Sequence, residues 1–309
     1  MYLICGEALF DFFLDGESGP GAAHFAARAG GSPFNVAVGL ARLGADAALL
    51  TGLSTDMMGA RLRRVLEEEG VDTSYLLATG RPTTLSLVGL DAAGSPAYAF
   101  YGENSADSGV LPEDLPALDR RVAGLHFGSY SIAVRPVADA FASLAAANAE
   151  RFISLDPNVR PTIEPDMDIW RKRTVHLAGL ANLVKISTED LAALYPGRTS
   201  EDFAAEMTAQ GTGLVVVTDG GRRAAGWTST GLTASVEPPR TAVIDTVGAG
   251  DTFQAALLYR LGAGGDPASR IAGLDTDALE RRLRFAATAA AITWSRRGAD
   301  MPRLEEVGF

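Results

Sequence analysis

A nine-residue segment in the last third of the chain combines glycines, hydroxyl side chains and two carboxylates. It reads Asp245-Thr246-Val247-Gly248-Ala249-Gly250-Asp251-Thr252-Phe253 and leads into a helix-like stretch over residues 254–261. The apolar pair Val243 and Ile244 precedes it, so the pattern predicts a strand, a glycine-rich turn and a helix in succession. The start of such a helix directs backbone N–H groups and the positive end of the helix dipole to one point, which favours phosphate binding.

Asp251 gives this segment a chemistry beyond phosphate binding. The pattern puts its carboxylate in the first helical turn, beside a predicted anion hole formed by Gly248, Ala249 and Gly250. Phosphoryl transfer needs a group that accepts the proton of the attacking hydroxyl, and a carboxylate here can do that. The alternative is an aspartate that only caps the helix.

Two other phosphate-binding motifs do not fit the segment. A dinucleotide-binding fingerprint requires a third small residue where this chain has Phe253, and a P-loop requires Gly-Lys-Ser/Thr, which the chain lacks. Only two of the 27 basic residues are lysines, Lys172 and Lys185. We therefore predict a phosphate site built from backbone groups.

A second motif lies near the N-terminus. It reads Gly30-Gly31-Ser32-Pro33-Phe34-Asn35-Val36-Ala37 and continues to Ala41-Arg42-Leu43-Gly44. Gly31 and Asn35 could be simple turn and helix-start residues. Asn35, however, follows the first helical positions, where asparagine is a poor helix former, so a ligand role explains it better.

Together the two motifs resemble the signatures of the PfkB (ribokinase-like) carbohydrate kinases, over nearly the whole chain. The resemblance implies that Asp251 is the catalytic base and that the amides of residues 248–250 bind the transferred phosphoryl group. It also implies that a sugar is bound by Asp11, Gly30, Gly31 and Asn35. Without the resemblance, Asp11 would sooner be a solvent-facing residue at the end of a strand.

Two further segments lie at the carboxyl ends of predicted strands. Residues 156–160 end in Arg160, whose planar guanidinium suits sugar or phosphate oxygens. Residues 185–190 are similar to the family's Asn-x-x-Glu segment, with Ser187 and Asp190 replacing its two end residues. The resemblance implies water-mediated binding of Mg²⁺ by Asp190 or Glu189, although a serine cap followed by acids explains the segment almost as well.

The nucleotide is expected at the segment 218–221, which matches a Thr-x-Gly turn of the same family. The residues predicted to bind ATP are Lys185, Ser187, Thr218, Gly220 and Gly250. The resemblance implies ATP and Mg²⁺ as cofactors, with K⁺ as an additional monovalent cation.

Glu103 decides the predicted sugar. Family kinases for 2-keto-3-deoxygluconate tend to carry arginine in this segment, whereas Glu103 would repel an acid and accept bonds from neutral hydroxyls. Residues 286–299 also resemble bacterial fructokinases. We therefore expect D-fructose, phosphorylated at O6, with 2-keto-3-deoxygluconate and then ribose or a nucleoside as alternatives. A sugar-binding regulator on a kinase fold is the non-enzyme alternative.

The distribution of predicted elements indicates an α/β fold. Strands and helices alternate from residue 124 onward, which implies a mostly parallel sheet with ligands at its carboxyl edge. Residues 2–14 read as one strand, and residues 83–90 and 97–101 as a hairpin closed by residues 91–95. With the resemblance, we expect a single ribokinase-like domain over residues 1–309: a three-layer αβα sandwich whose small β-strand lid comes from about 11–28 and 82–106.

Composition limits the partners. A net charge of −11 argues against nucleic acid and anionic membranes. A lone Cys5 between apolar residues predicts a buried thiol, and no Lys or Arg precedes Arg28, so we expect no signal peptide and a cytoplasmic protein. The apolar strand 97–101 predicts a homodimer formed through the lid.

Overall fold

Two separate sheets organise the chain. The computed structural model describes residues 1–17, 21–90, 96–263 and 265–308. Its strands are β1 (Tyr2–Cys5), β2 (Leu9–Glu17), β3 (Ala23–Gly30), β4 (Ala47–Ser54), β5 (Leu76–Thr79), β6 (Thr84–Leu90), β7 (Pro96–Tyr101), β8 (Gly124–Gly128), β9 (Phe152–Asp156), β10 (Leu183–Ser187), β11 (Leu214–Asp219), β12 (Arg223–Thr228) and β13 (Thr233–Val236). Its α-helices are α1 (Ser32–Arg42), α2 (Met57–Glu68), α3 (Val137–Ala147), α4 (Met167–Ala178), α5 (Thr188–Leu194), α6 (Ser200–Ala209), α7 (Ala249–Gly262), α8 (Pro267–Ala272), α9 (Thr276–Trp294) and α10 (Leu304–Val307).

The larger sheet is mostly parallel. Its order is β13-β12-β11-β10-β9-β8-β1-β4-β5, and only the β11-β12 and β12-β13 pairs are antiparallel. Alternate residues of its strands enter two hydrophobic cores. On one face, Tyr2 and Ile4 pack with α1, α2, α7 and α9; on the other, Leu3 and Cys5 pack with α3, α4 and α6. Helices therefore cover both faces, which confirms the predicted three-layer αβα sandwich.

The smaller sheet has the order β3-β2-β6-β7. Strands β2 and β6 are parallel, whereas β3 and β7 run antiparallel to their neighbours. We call these four strands the lid sheet. The turn predicted at residues 91–95 lies outside the described residues, although β6 and β7 pair on either side of it.

Two predicted strands are wrong. The single strand expected over residues 2–14 is split, because Gly6 has φ 154° and Glu7 is buried between β1 and β2, which belong to different sheets. The strand expected at Val243 and Ile244 is irregular backbone. These two side chains are exposed, and the N–H of Ile244 donates to the carbonyl of Trp294 at the end of α9 instead of to a strand.

Candidate active site

A cavity of about 850 Å³ lies between the two sheets. The larger sheet contributes residues that follow the carboxyl ends of β9, β10 and β11, together with the start of α7. The lid sheet contributes side chains from β2, β6 and β7, including Asp11, Ser86 and Phe100. A ligand there would contact both sheets at once.

Asp251 is held by three donors at one end of this cavity. The Ser32 hydroxyl donates to Oδ1 at 2.7 Å, the Asn35 amide donates to Oδ2 at 2.8 Å, and the Asn158 amide reaches Oδ1 at 3.4 Å. The aspartate is 7% exposed. Hydrogen bonds of this kind fix the orientation of the carboxylate, because its two oxygens are held by different donors.

The turn before α7 has the conformation that an anion hole needs. Gly248 is the N-cap with φ 77°, and a Cβ there would lie 2.4 Å from Cβ of Ala299, so only glycine fits. No residue in the described ranges accepts a hydrogen bond from the N–H of Gly250 or Asp251. The N–H of Ala249 is directed at the carbonyl of Thr246, 3.4 Å away. The free amides are available to a phosphate.

Lys185 brings a positive charge to the same place. Its Nζ donates to Oδ2 of Asp156 at 2.7 Å, and a Cβ on Gly250 would lie 3.4 Å from it. Burial raises the pKa of Asp156 to about 6, against the opposing effect of Lys185, so the carboxylate of Asp156 stays ionised at neutral pH. Burial also lowers the pKa of the neighbouring His126 to about 3, which leaves its imidazole neutral.

Asp11 faces the cavity from the lid sheet. Burial raises the pKa of its carboxyl, while Ser86 and Arg160 act in the opposite direction. The backbone of Gly30 packs against Asp11, since a Cβ there would lie 2.7 Å from Oδ2. Gly31, with φ 103°, turns the chain from β3 into α1. Arg160 lines the cavity and donates from Nη1 to the carbonyls of Asn158 and Val159.

The predicted nucleotide segments line the opposite part of the cavity. Ser187 caps α5 by accepting from the N–H of Asp190, and Asp190 in turn accepts from the N–H of Val159 at 3.1 Å. Glu189 is exposed at the cavity rim. Thr218 and Gly220 follow at the end of β11, with Trp294 and Ala290 of α9 nearby. These apolar and polar groups could enclose a nucleotide base.

Glu103 is not among the described residues that line the cavity. Its side chain is exposed in the turn after β7. The geometry therefore gives no support to a role as a filter against acidic sugars, and that role stays a prediction.

Several residues at the site were not predicted from the sequence. Ser32 and Asn158 lie inside the quoted motifs, but no role was assigned to them. Asn158 has φ 43°, a strained backbone that turns its amide towards Asp251. Its position between Pro157 and Arg160, in a segment already predicted to bind a ligand, could have identified it.

Glu7 was also not predicted. It is 1% exposed, lines the cavity, and accepts a hydrogen bond from the Ser131 hydroxyl at 2.5 Å. Burial raises its pKa from 4.5 to about 7. A glutamate in an apolar N-terminal run gave no sign in the sequence of such an environment.

Metal ligands are sparse in the described part of the chain. No group of three His, Cys, Asp or Glu residues there could hold a metal ion by itself. Glu189 and Asp190 both line the cavity, and one or two carboxylates suffice for Mg²⁺ that arrives coordinated by ATP oxygens and water. Across the same residues, no helix has the length and apolarity required to span a membrane.

Comparison with known proteins identifies the family. The model of the pfkB family carbohydrate kinases matches residues 2–306. A fructokinase of Rhizobium leguminosarum bv. trifolii is 39% identical over 262 residues, 84% of this chain and 79% of that protein. The crystal structure of Xylella fastidiosa fructokinase with bound ATP has a TM-score of 0.90 at 30% identity, covering 99% of this chain and 96% of that one.

A third relative was crystallised with a sugar and a nucleotide bound. Fructokinase from Vibrio cholerae O395 with fructose, ADP and calcium bound has a TM-score of 0.82 at 27% identity, covering 96% of this chain and 94% of that one. A double mutant of the Vibrio protein binds potassium with fructose and ADP. The match of the family model over nearly all residues, together with these likenesses, shows that the chain belongs to the pfkB family of carbohydrate kinases.

Proposed function

We propose that this protein is an ATP-dependent fructokinase that phosphorylates D-fructose at O6. The observation that carries the proposal is the arrangement of Asp251 beside the free amides that begin α7, with Asp11 facing the same cavity from the lid sheet. The fructokinase relatives in bacteria and plants support fructose as the substrate.

The reaction follows from these positions. The carboxylate of Asp251 accepts the proton of the O6 hydroxyl as O6 attacks the γ-phosphorus of ATP. A bond forms between O6 and that phosphorus, the bond to the oxygen that bridges the β- and γ-phosphates breaks, and ADP leaves with the electron pair. The amides of Gly248 and Gly250, with Lys185, stabilise the charge on the transferred group.

Asp11, Asn35 and Arg160 hold the sugar in this proposal. Asp11 accepts from sugar hydroxyls, and its orientation is supported by Ser86 and by the close approach of Gly30. Asn35 donates one amide hydrogen to Asp251 and has a second available for the substrate. The nucleotide lies along Ser187, Thr218 and Gly220.

Mg²⁺ bound to the ATP phosphates would supply further charge neutralisation. Asp190 and Glu189 would hold it through water. Asp190 has Oδ1 occupied by the N–H of Val159, which leaves Oδ2 for this role. Potassium in the Vibrio protein supports K⁺ as an additional requirement.

A second substrate, 2-keto-3-deoxygluconate, is favoured by one observation. Arg160 lines the cavity, whereas Glu103 does not, so the site contains a cation that could bind a sugar carboxylate. Asp11 lies close enough to Arg160 to share its charge, which reduces this preference. Fructose therefore stays the first choice.

The test is ADP release with Mg-ATP and a panel of fructose, 2-keto-3-deoxygluconate, ribose and adenosine. We expect turnover on fructose. Preference for the keto acid would show that Arg160 dominates the pocket. Binding of ATP or sugar without turnover on any member would support the regulator alternative instead.

We further propose a cytoplasmic homodimer. The buried free thiol of Cys5 suits a reducing compartment. Phe25 on β3 and Tyr101 on β7 are 43% and 60% exposed, and both lie on edge strands of the lid sheet. Light scattering coupled to gel filtration should give twice the 32.3 kDa chain mass, and the double variant F25S/Y101S should lower it.

A further inference from the structure

A buried ion pair lies beside the start of α7. Lys185 and Asp156 have side chains 5% and 3% exposed, and their charged atoms are 2.7 Å apart. Lys185 lies on β10 and Asp156 ends β9, so both extend from the carboxyl edge of the larger sheet. Of the two partners, Lys185 lines the cavity.

The pair is poorly built for stability alone. Oδ1 of Asp156 is buried and has no hydrogen-bond partner among the described residues. The hydrogen bond to Asp156 is the only one that Lys185 Nζ makes within those residues. Buried charges that stabilise a fold normally have their remaining hydrogen-bonding positions satisfied. Because both Asp156 and Lys185 have hydrogen-bonding positions without a protein partner, we expect a ligand to occupy them.

The position of the ammonium indicates which ligand. It lies 3.4 Å from where a Cβ of Gly250 would be, next to amides that are free to bind a phosphate. His126 is neutral and hydrogen-bonds Ser154, so it does not neutralise Asp156. Asp156 is followed by Pro157, whose fixed backbone limits movement of this turn.

We infer that Asp156 is a positioning residue, which holds the ammonium of Lys185 against the phosphoryl group during its transfer. The inference rests on the proposed kinase function. It adds to that function a residue that touches neither substrate and acts only through Lys185.

A double-mutant cycle tests the inference. K185M should lower kcat on fructose about 100-fold, because one donor to the transition state is lost. D156N should lower it about tenfold, since the ammonium remains but loses its orientation. The double variant D156N/K185M should be no slower than K185M. Multiplication of the two losses to about 1,000-fold would overturn the inference.

Stability is measured on the same variants. D156N leaves a buried ammonium unpaired and should unfold at a lower temperature, whereas the double variant removes both charges and should recover. If D156N does not fold, equal rates for K185M and D156N/K185M still support the inference, and a slower double variant contradicts it. E69Q removes a partly buried carboxylate that pairs with Arg42 and Arg303 outside the cavity, and it should leave kcat unchanged.

Binding separates this inference from the proposed function. Calorimetry should show that K185M weakens the binding of Mg-ATP more than the binding of Mg-ADP. D156N should show the same pattern to a smaller degree. This holds even if the wild-type protein turns over none of the sugars in the panel. Equal effects on ATP and ADP would show that Lys185 does not reach the γ-phosphoryl group, and D156N with reduced stability but unchanged kcat and ATP binding would make Asp156 purely structural.

Discussion

The two sheets that enclose the cavity differ in how firmly they are packed. Strands β1, β8 and β9 of the larger sheet consist entirely of buried residues, whereas only one of the eight residues of β3 in the lid sheet is buried. Asp251 has three donors and is 7% exposed, while Asp11 is only partly buried. The proposed chemistry is thus placed on the rigid side and the proposed sugar contact on the more open side.

This difference has a kinetic meaning. A preorganised base and anion hole act in the transition state and should control kcat. A side chain on a less buried sheet, which a bound sugar would help to order, should mainly control binding. Variants on the two sides should therefore separate kcat from KM.

The largest effect is expected at Asp251. D251N should lower kcat on fructose by about 10³-fold, because the amide cannot accept the proton of O6. The fold should be kept, since the amide oxygen can still accept from Asn35 while its NH2 group donates to the Ser32 hydroxyl. Steady-state rates measure the loss of kcat, and thermal unfolding shows whether the fold is kept. D202N, an exposed acid on α6, is the control, and a D251N enzyme with most of its rate would make Asp251 only a helix cap.

Glu7, at the junction of the two sheets, should make stability fall with rising pH. Its folded pKa of about 7 lies above the ordinary 4.5, so the folded state binds the proton more tightly. The stabilisation is complete below pH 4.5 and is lost as pH rises to about 7, by at most about 3 kcal/mol. Urea unfolding across this range should therefore show a smaller decline for E7Q than for wild type. The exposed variant E113Q should keep the wild-type slope, and an E7Q slope equal to that of wild type would refute this account of Glu7.

On the lid side, D11N should raise KM for fructose about tenfold with little change in kcat, since a charge-assisted bond to a hydroxyl is replaced by a neutral one. D15N, an exposed acid on the same strand, is the matched control. Acidification should weaken fructose binding to the wild-type protein, because the raised pKa of Asp11 brings its protonation closer to neutral pH. In D11N this loss of affinity should be smaller. A fall in kcat with unchanged KM would break the proposed division between the sheets.

The smallest effect is expected for the backbone of the anion hole. G248A and G231A both put alanine at positive φ, near 80°, but only at Gly248 would the new Cβ meet another residue, Ala299. Strain costs about 1 kcal/mol at each site, and the contact should add about 1–2 kcal/mol at Gly248. The loss in free energy of unfolding, measured with denaturant, should be larger for G248A than for G231A, and the difference gives the cost of the contact with Ala299. Equal losses would mean that Ala299 moves aside.

The sequence predicted those parts of the site that depend on local backbone. The glycines before α7, Asp251 in its first turn and the alternation of strands and helices all follow from spacing along the chain. The order of the nine strands does not, because it depends on packing between distant segments. Residues 23–30 have no strand pattern of their own, since alanine and glycine dominate them, and only the family resemblance predicted a lid strand over most of β3.

Side-chain partners between distant segments were harder to predict. Asp156 was recognised as the first residue of the segment 156–160, but its pairing with Lys185 required the register of β9 and β10. Glu103 was assigned to the cavity from its neighbours in sequence, but it is not among the described residues that line the cavity. Val243 and Ile244 resembled a strand because they are β-branched, yet α9 supplies the partner carbonyl.

The most direct test of fructose phosphorylation at O6 is to identify the product. Wild-type protein should be incubated with Mg-ATP and ¹³C-labelled fructose, and the product examined by ¹³C and ³¹P NMR. We expect carbon–phosphorus coupling at C6 with one ADP formed for each sugar consumed. Coupling at another carbon, or no phosphorylated fructose while another sugar of the panel is converted, would contradict it.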